Sequence, residues 1–76
     1  MNNELLYEVS DGIAVITINR PERKNAINRA VRQAMFEVWP RFEADESAQI
    51  AILTGAGDTF CAGMDLVEAA DTALRI

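Results

Sequence analysis

Residues 60–66, Phe-Cys-Ala-Gly-Met-Asp-Leu, could stabilise negative charge on a ligand oxygen. They follow an apolar run at 50–53 and a glycine-containing loop at 54–58, so the pattern predicts a buried strand, a loop and the beginning of a helix. The first turn of a helix has backbone N–H groups without an intrahelical partner and carries partial positive charge. Such a place can bind an oxygen that develops negative charge. Ala62 and Gly63 are small enough to let a ligand approach the backbone.

Two side chains in this motif have reactive groups, but their surroundings favour structural roles. Asp65 lies in the predicted first helical turn, where a carboxylate accepts hydrogen bonds from free N–H groups and interacts favourably with the dipole. We therefore expect Asp65 to fix the turn that follows Gly63. Cys61 has no histidine anywhere in the chain to activate it, so we expect a small, packed side chain rather than a nucleophile.

The glycines at 55 and 57 do not form a nucleotide-binding loop. A dinucleotide-binding fingerprint needs a third glycine where Phe60 stands, and a P-loop needs a Gly-Lys-Ser/Thr ending that this sequence lacks. We expect these glycines to permit a tight turn out of the preceding strand.

A basic loop precedes the predicted helix and contains Arg20, Arg23 and Lys24. Cations at this place could bind phosphate groups, and arginine can do so with two parallel hydrogen bonds. Three charges in a loop are also ordinary for a solvated surface. Composition alone favours the solvated surface, and it does not distinguish Arg23 from Lys24.

The elements that position these loops follow from hydrophobic periodicity. Residues 5–9 and 13–19 are predicted to be strands joined by the Asp11-Gly12 turn, and Arg20-Pro21 ends the second strand. The order strand, strand, helix, strand, loop, helix start is a ββα unit followed by the first strand of another. It predicts an α/β architecture.

A helix is predicted to begin after Asn28, which can cap it. Proline at position 40 removes one backbone hydrogen bond and costs about 3 kcal/mol if unrelieved, so we expect a kink or an early end near 38–39. Phe36 lies off the apolar face and indicates a second contact surface. Residues on the apolar face recur at helical spacing: Val31, Ala34, Met35, Val38, Trp39 and Phe42.

Composition excludes several classes of protein. The chain has 76 residues, half of them hydrophobic, and a net charge of −5, which argues against nucleic-acid binding. One cysteine and no histidine exclude an internal disulfide framework and the usual His/Cys zinc site, so no metal site is expected. The first residues lack a basic region before a long apolar run, and no segment is long enough to span a membrane. We expect a cytoplasmic protein without membrane or nucleic-acid partners.

Three motifs carry a resemblance to a known family: Asn-Arg-Pro at 19–21, Asn-Ala-Ile-Asn at 25–28, and residues 60–66. Together they resemble the N-terminal part of the enoyl-CoA hydratase/isomerase (crotonase) family, and the resemblance extends over about 7–68. It implies the crotonase-type fold, a right-handed spiral of ββα repeats. Residues 1–76 would be an incomplete, N-terminal piece of one such domain.

The resemblance also implies roles for individual residues. The backbone N–H of Met64 matches one of two donors that hold the thioester carbonyl of an acyl-CoA, forming half of an oxyanion hole. The other donor, a glycine N–H, and the two glutamates of the hydratase pattern would lie beyond Ile76; Glu68 matches neither glutamate. The residues expected to contact the coenzyme A or acyl part of the substrate are Arg23, Lys24, Ala26, Ala62, Gly63, Asp65 and Leu66.

The activity implied by the resemblance is hydration of a trans-2-enoyl-CoA, in fatty-acid or related acyl-CoA metabolism. Coenzyme A would be part of the substrate, with no separate cofactor, and the parent protein would be a homo-oligomer, a trimer or a dimer of trimers. Isomerases, hydrolases and decarboxylases of the superfamily share the donor at Met64 and differ in the missing carboxylates. A non-catalytic fragment that only packs with a partner chain is the alternative of a different class.

Overall fold

The computed structural model describes residues 3–61 and residue 63. Three strands form one sheet in the order β1-β2-β3, and one long helix connects the second strand to the third. None of the helices in this described part is long and apolar enough to cross a membrane. In chain order the elements are β1 (Leu5–Ser10), β2 (Ile13–Ile18), a 3-10 helix (Pro21–Arg23), α1 (Arg29–Ala44) and β3 (Ile50–Gly55).

The first two strands form the predicted hairpin. They pair antiparallel, with Leu5 opposite Ile18 and Ser10 opposite Ile13. The two turn residues both have left-handed backbone conformations, with φ of 52° at Asp11 and 79° at Gly12. Left-handed residues at both central positions match the twist of a two-residue hairpin, which is why Asp-Gly is favoured there.

Strand β3 pairs parallel with β2, from Ile13 opposite Ile50 to Ile18 opposite Gly55. Helix α1 makes the connection that two parallel strands require. The α/β class predicted from the order of elements is therefore confirmed. A parallel pair brings the carboxyl ends of both strands to the same edge of the sheet, and the loops of interest leave from that edge.

Helix α1 begins as predicted. The Asn28 side-chain oxygen accepts a hydrogen bond from the Val31 N–H at 2.9 Å, so it satisfies one of the free donors of the first turn. The helix packs its apolar face on the sheet, but the face is narrower than the periodicity predicts, since Trp39 is 39% exposed. The core that results contains Leu5, Ile16, Ile18, Val31, Ala34 and Val38.

Of the two outcomes expected at Pro40, a kink or an early end, the early end does not occur, because α1 continues to Ala44. The backbone bond that proline removes would have reached the carbonyl of Phe36, whose side chain is 80% exposed, so water can reach this turn. Side chains on either side of the proline also support the last turn, since the rings of Trp39 and Phe42 meet edge to face with centroids 6.5 Å apart.

The described residues do not by themselves bury the third strand, which the sequence predicts to be buried. Ile50 is 59% exposed and Ile52 is 47% exposed, whereas Ala51 and Leu53 pack against the core. Strand β3 lies at an edge of the three-stranded sheet, and α1 covers only one face. The continuous apolar run therefore does not mean that both faces of β3 are covered by the described residues.

A polar cluster joins β1 to the end of α1. The Tyr7 hydroxyl donates to an Asp45 carboxylate oxygen at 2.7 Å, and the Arg41 guanidinium carbon lies 4.2 Å from the Tyr7 ring centroid. Hydrogen bonds from Ser47 and then from Tyr7 hold the pKa of Asp45 below its ordinary value. Desolvation, followed by the hydrogen bond to Asp45, raises the pKa of Tyr7.

We predict that Asp45→Asn lowers the free energy of unfolding of the full-length protein at pH 7 but not in strong acid. A depressed folded-state pKa contributes stability above the unfolded value of about 4, and this contribution is lost as the pH falls through the folded value. Urea unfolding at both pH values measures the difference between the variant and the unchanged protein. Glu46→Gln removes the same charge from the exposed neighbour and is the control. A difference that is equal at both pH values would contradict the prediction.

Candidate functional site

Two loops leave the sheet at the carboxyl ends of β2 and β3. We name residues 19–28 the first loop and residues 56–61 with Gly63 the second loop. They begin side by side, because the Ala56 N–H donates to the Ile18 carbonyl at 2.9 Å. In open α/β sheets, ligands commonly bind at the carboxyl ends of parallel strands. This edge is therefore where a ligand site is expected on topology alone.

Arg20 closes the first loop on itself. Its guanidinium donates to the Ala26 carbonyl at 2.7 Å and lies 3.5 Å from a Glu4 carboxylate oxygen, and the residue is buried at 9% exposure. A guanidinium held in this way fixes the loop geometry. Arg20 was one of the three loop cations that could meet a phosphate, and the structure gives it a structural role instead.

The other two cations of the first loop, Arg23 and Lys24, are exposed. The backbone N–H groups near them are occupied: Lys24 donates to Pro21 at 3.2 Å and Ala26 donates to Arg23 at 3.1 Å. Since the Ala26 carbonyl also accepts from Arg20, a ligand at this loop would meet mainly side chains and the remaining carbonyl lone pairs.

Asn25 joins the two loops and is fully buried, at 0% exposure. Its side-chain oxygen accepts from the Arg20 N–H at 2.8 Å. Its amide nitrogen donates to the Ala56 carbonyl at 2.8 Å and to the Thr59 carbonyl. We name this set of three hydrogen bonds the Asn25 clamp. Sequence reasoning assigned no role to Asn25, although an asparagine between a basic loop and a helix cap suits the left-handed φ of 57° found here.

Gly55 makes room for the clamp. A Cβ atom at this position would lie 2.1 Å from the Phe60 carbonyl oxygen, 2.6 Å from the Asn25 amide nitrogen and 2.7 Å from the Thr59 carbonyl oxygen. Glycine is therefore needed here because the second loop approaches the end of the strand closely. Gly57, by contrast, has a φ of 77°, as expected for a tight turn out of the strand.

The backbone of Gly63 is held by hydrogen bonds, and the space beside its Cα atom is open among the described residues. Its carbonyl accepts from the Ile27 N–H at 2.6 Å, and its own N–H donates to the Cys61 sulfur at 3.3 Å. Its φ is 98°, a conformation that side chains disfavour, and among the described residues no atom lies within 4 Å of where a Cβ would stand. Cys61 packs against the core, as the sequence predicted.

The remaining predicted site residues, Ala62, Met64, Asp65 and Leu66, lie outside the described residues. The structure therefore places Arg23, Lys24, Ala26 and Gly63, and it brings the loops that carry them to one edge of the sheet. Within residues 3–61 and 63, no group of three or more His, Cys, Asp or Glu side chains is arranged to hold a metal ion.

Comparisons with known proteins agree on one family. A profile described as "Enoyl-CoA hydratase/isomerase" matches residues 8–75. Hydroxycinnamoyl-CoA hydratase-lyase of Pseudomonas fluorescens is 44% identical over 61 residues, which are 80% of this chain and 22% of the relative. The 1,2-epoxyphenylacetyl-CoA isomerase of Escherichia coli K12 is 40% identical over 62 residues, 82% of this chain and 24% of the relative.

A solved structure gives the same result at the level of the fold. Enoyl-CoA hydratase EchA1 from Mycobacterium marinum has a TM-score of 0.85 and 48% sequence identity, over 92% of this chain and 28% of that one. The chain therefore spans about a quarter of the length of the relatives that it matches.

Proposed function

Because the chain belongs to the enoyl-CoA hydratase/isomerase family, we propose that the full-length protein acts on the thioester of an acyl-CoA. The proposed reaction is the addition of water across the double bond of a trans-2-enoyl-CoA. Such chemistry builds negative charge on the thioester oxygen, and donors already aimed at that oxygen are typically worth about 3–4 kcal/mol each.

The observation that carries this proposal is the geometry of Gly63. Its carbonyl accepts from the Ile27 N–H, its own N–H donates to the Cys61 sulfur, and none of the described residues fills the space where a side chain at this position would stand. A backbone that is both fixed and open can present a neighbouring N–H to a ligand at little cost in reorganisation. We assign that donor to the N–H of Met64, and we assign to Ala62, Asp65 and Leu66 the support of the turn and of the acyl-binding surface.

The first loop supplies the second half of the proposed binding mode. Arg23 and Lys24 are its exposed cations. The loop that carries them leaves the sheet at the same edge as the loop that carries Gly63. We propose that their side chains, with the surface of Ala26, face the coenzyme A part of the substrate, whose phosphates carry negative charge. Coenzyme A then belongs to the substrate, and no additional cofactor is proposed.

The relatives are named for different reactions, and this leaves one alternative open for the reaction of the full-length protein. One is a hydratase-lyase and another is an isomerase, so the shared segment accompanies different reactions. We propose that the carboxylates that differentiate these reactions are carried by residues beyond Ile76. Product analysis with trans-2-enoyl-CoA and with a 3-enoyl-CoA distinguishes the two: a hydratase makes the 3-hydroxyacyl-CoA, and an isomerase shifts the double bond.

We predict that full-length protein hydrates crotonyl-CoA and that residues 1–76 alone do not. General acid–base catalysis typically contributes about 10²–10⁴-fold, and its proposed carriers are missing from the short polypeptide. The loss of absorbance of the conjugated thioester measures the rate for both. Glu68→Gln in the full-length protein is the control and should leave kcat unchanged. Turnover by the short polypeptide that Glu68→Gln abolishes would contradict the assignment.

A further inference from the structure

We propose that Asn25 is a positioning residue for the thioester chemistry and that it acts by fixing the second loop. Its side chain is completely buried, and its three hydrogen bonds go to backbone groups of both loops. A buried amide that is fully hydrogen-bonded specifies one geometry, because each alternative leaves a polar group unpaired. This inference rests on the function proposed above.

The first loop has backbone hydrogen bonds of its own, besides the one bond of the clamp that lies within it, from the Arg20 N–H to the Asn25 side-chain oxygen. The N–H groups of Arg23 and Asn25 both donate to the Arg20 carbonyl, at 3.0 and 2.7 Å. The Arg20 guanidinium then bonds the Ala26 carbonyl. Losing the Asn25 side chain would leave all of these contacts in place.

The second loop, in contrast, depends on Asn25. The carbonyls of Ala56 and Thr59 both accept from the Asn25 amide, and they stand at the beginning and near the end of the turn around Gly57. Gly55 lets this turn fold back closely on the strand end, since a Cβ there would collide with the Thr59 and Phe60 carbonyls. The donor groups of Asn25 therefore hold a tightly folded turn, which the Ala56 N–H also anchors to the Ile18 carbonyl at its first residue.

The position of this turn determines where the chain reaches Gly63. Only three residues separate Thr59 from Gly63, so a displacement of the turn moves the backbone next to the proposed oxyanion donor. A misplacement of about 1 Å can reduce a rate by about 10²-fold even when the change is remote from the reacting atoms. We therefore expect the loss of the clamp to affect the thioester carbonyl rather than the coenzyme.

The test is Asn25→Asp in the full-length protein. Aspartate tolerates the left-handed conformation and keeps an oxygen that accepts from Arg20, but it cannot make both donations to the second loop, because a carboxyl group has at most one O–H. We expect kcat for crotonyl-CoA to fall by about 10–100-fold. The affinity for S-butyl-CoA, in which a methylene replaces the thioester carbonyl, should change by less than about twofold because the first loop keeps its hydrogen bonds.

Matched variants separate positioning from folding. Val38→Ala weakens the core under α1 at a residue that belongs to neither loop, so it should lower the melting temperature and leave kcat unchanged. Where Asn25→Asp does not fold, Asn25→Gly accepts the same backbone conformation and also removes both donors to the second loop. Because it removes the acceptor of the Arg20 N–H as well, its test is the loss of kcat relative to Val38→Ala. An unchanged kcat, or an equal loss of S-butyl-CoA affinity and kcat, overturns the proposal.

Hydrogen exchange gives a readout that does not depend on the activity. The Ile27 amide, which bonds the Gly63 carbonyl, should exchange faster in Asn25→Asp, whereas the Lys24 and Ala26 amides should keep their rates. If the unchanged protein turns over no enoyl-CoA, the proposed function fails, and this exchange pattern still decides whether Asn25 fixes the second loop. Equal exchange at all three amides overturns that part of the proposal.

Discussion

Replacement of the Met64 amide by an ester in the full-length protein should lower kcat by about 10²–10³, the usual loss for one oxyanion-hole donor. The ester removes the proposed N–H donor with little change in shape. It should affect the chemical step more than the affinity for coenzyme A, since the donor acts on the thioester oxygen. Stopped-flow measurement of crotonyl-CoA hydration, with chemistry shown to limit the rate, gives the comparison.

Two controls make this test specific. Met64→Ala keeps the N–H and should alter the preference for acyl chain length more than kcat. An ester at Asp58, an exposed residue of the second loop, tests whether the synthesis itself impairs the protein. Equal kcat values for the Met64 ester and the unchanged protein would remove Met64 from the oxyanion hole.

Gly55→Ala should destabilise the full-length protein by about 3 kcal/mol, near the upper end for overpacking. The added methyl group would stand 2.1 Å from one backbone carbonyl oxygen and 2.7 Å from another, so the backbone of the second loop must move. Because the Asn25 amide bonds one of these carbonyls, the substitution should also lower kcat. Urea unfolding and steady-state kinetics measure the two effects.

Gly12→Ala is the matched control for this substitution. Gly12 has a left-handed φ of 79°, so alanine costs about 1–2 kcal/mol there, but its nearest atoms are 3.9 Å from the added Cβ. The hairpin turn lies at the opposite end of the strands from the two loops. Gly12→Ala should therefore lower stability without changing kcat. Gly55→Ala with unimpaired stability would show that the second loop does not lie as close to the strand as described.

The features predicted correctly from the sequence are those that neighbouring residues determine. The Asp11-Gly12 turn requires two left-handed residues, and the Asn28 cap requires a side-chain oxygen three residues before its donor; both are local patterns. Of the two outcomes predicted at Pro40, the early end of α1 does not occur, and the helix continues through the proline to Ala44. Propensity is a weak guide where tertiary packing opposes it.

The candidate site was predictable only in part, for the same reason. Gly63 and the loop cations stand in recognisable motifs, whereas the role of Asn25 depends on carbonyl groups 31 and 34 residues away in the chain. Sequence periodicity does not reveal which backbone carbonyls a distant side-chain amide will bind. The different role of Arg20 could also be recognised only from the fold, because Arg20 is buried whereas Arg23 and Lys24 are exposed.

The parallel pairing of β2 with β3 has a consequence for the order in which the chain folds. The β1–β2 hairpin joins residues that are close in sequence, whereas β3 pairs with β2 only after the whole α1 connection has been closed. Contacts between distant residues carry a larger loop-closure entropy and tend to form late. We therefore expect the hydrogen bonds between the two loops to form after the hairpin. Substitutions that remove them should then change mainly the rate of unfolding, because late contacts have little effect on the rate of folding.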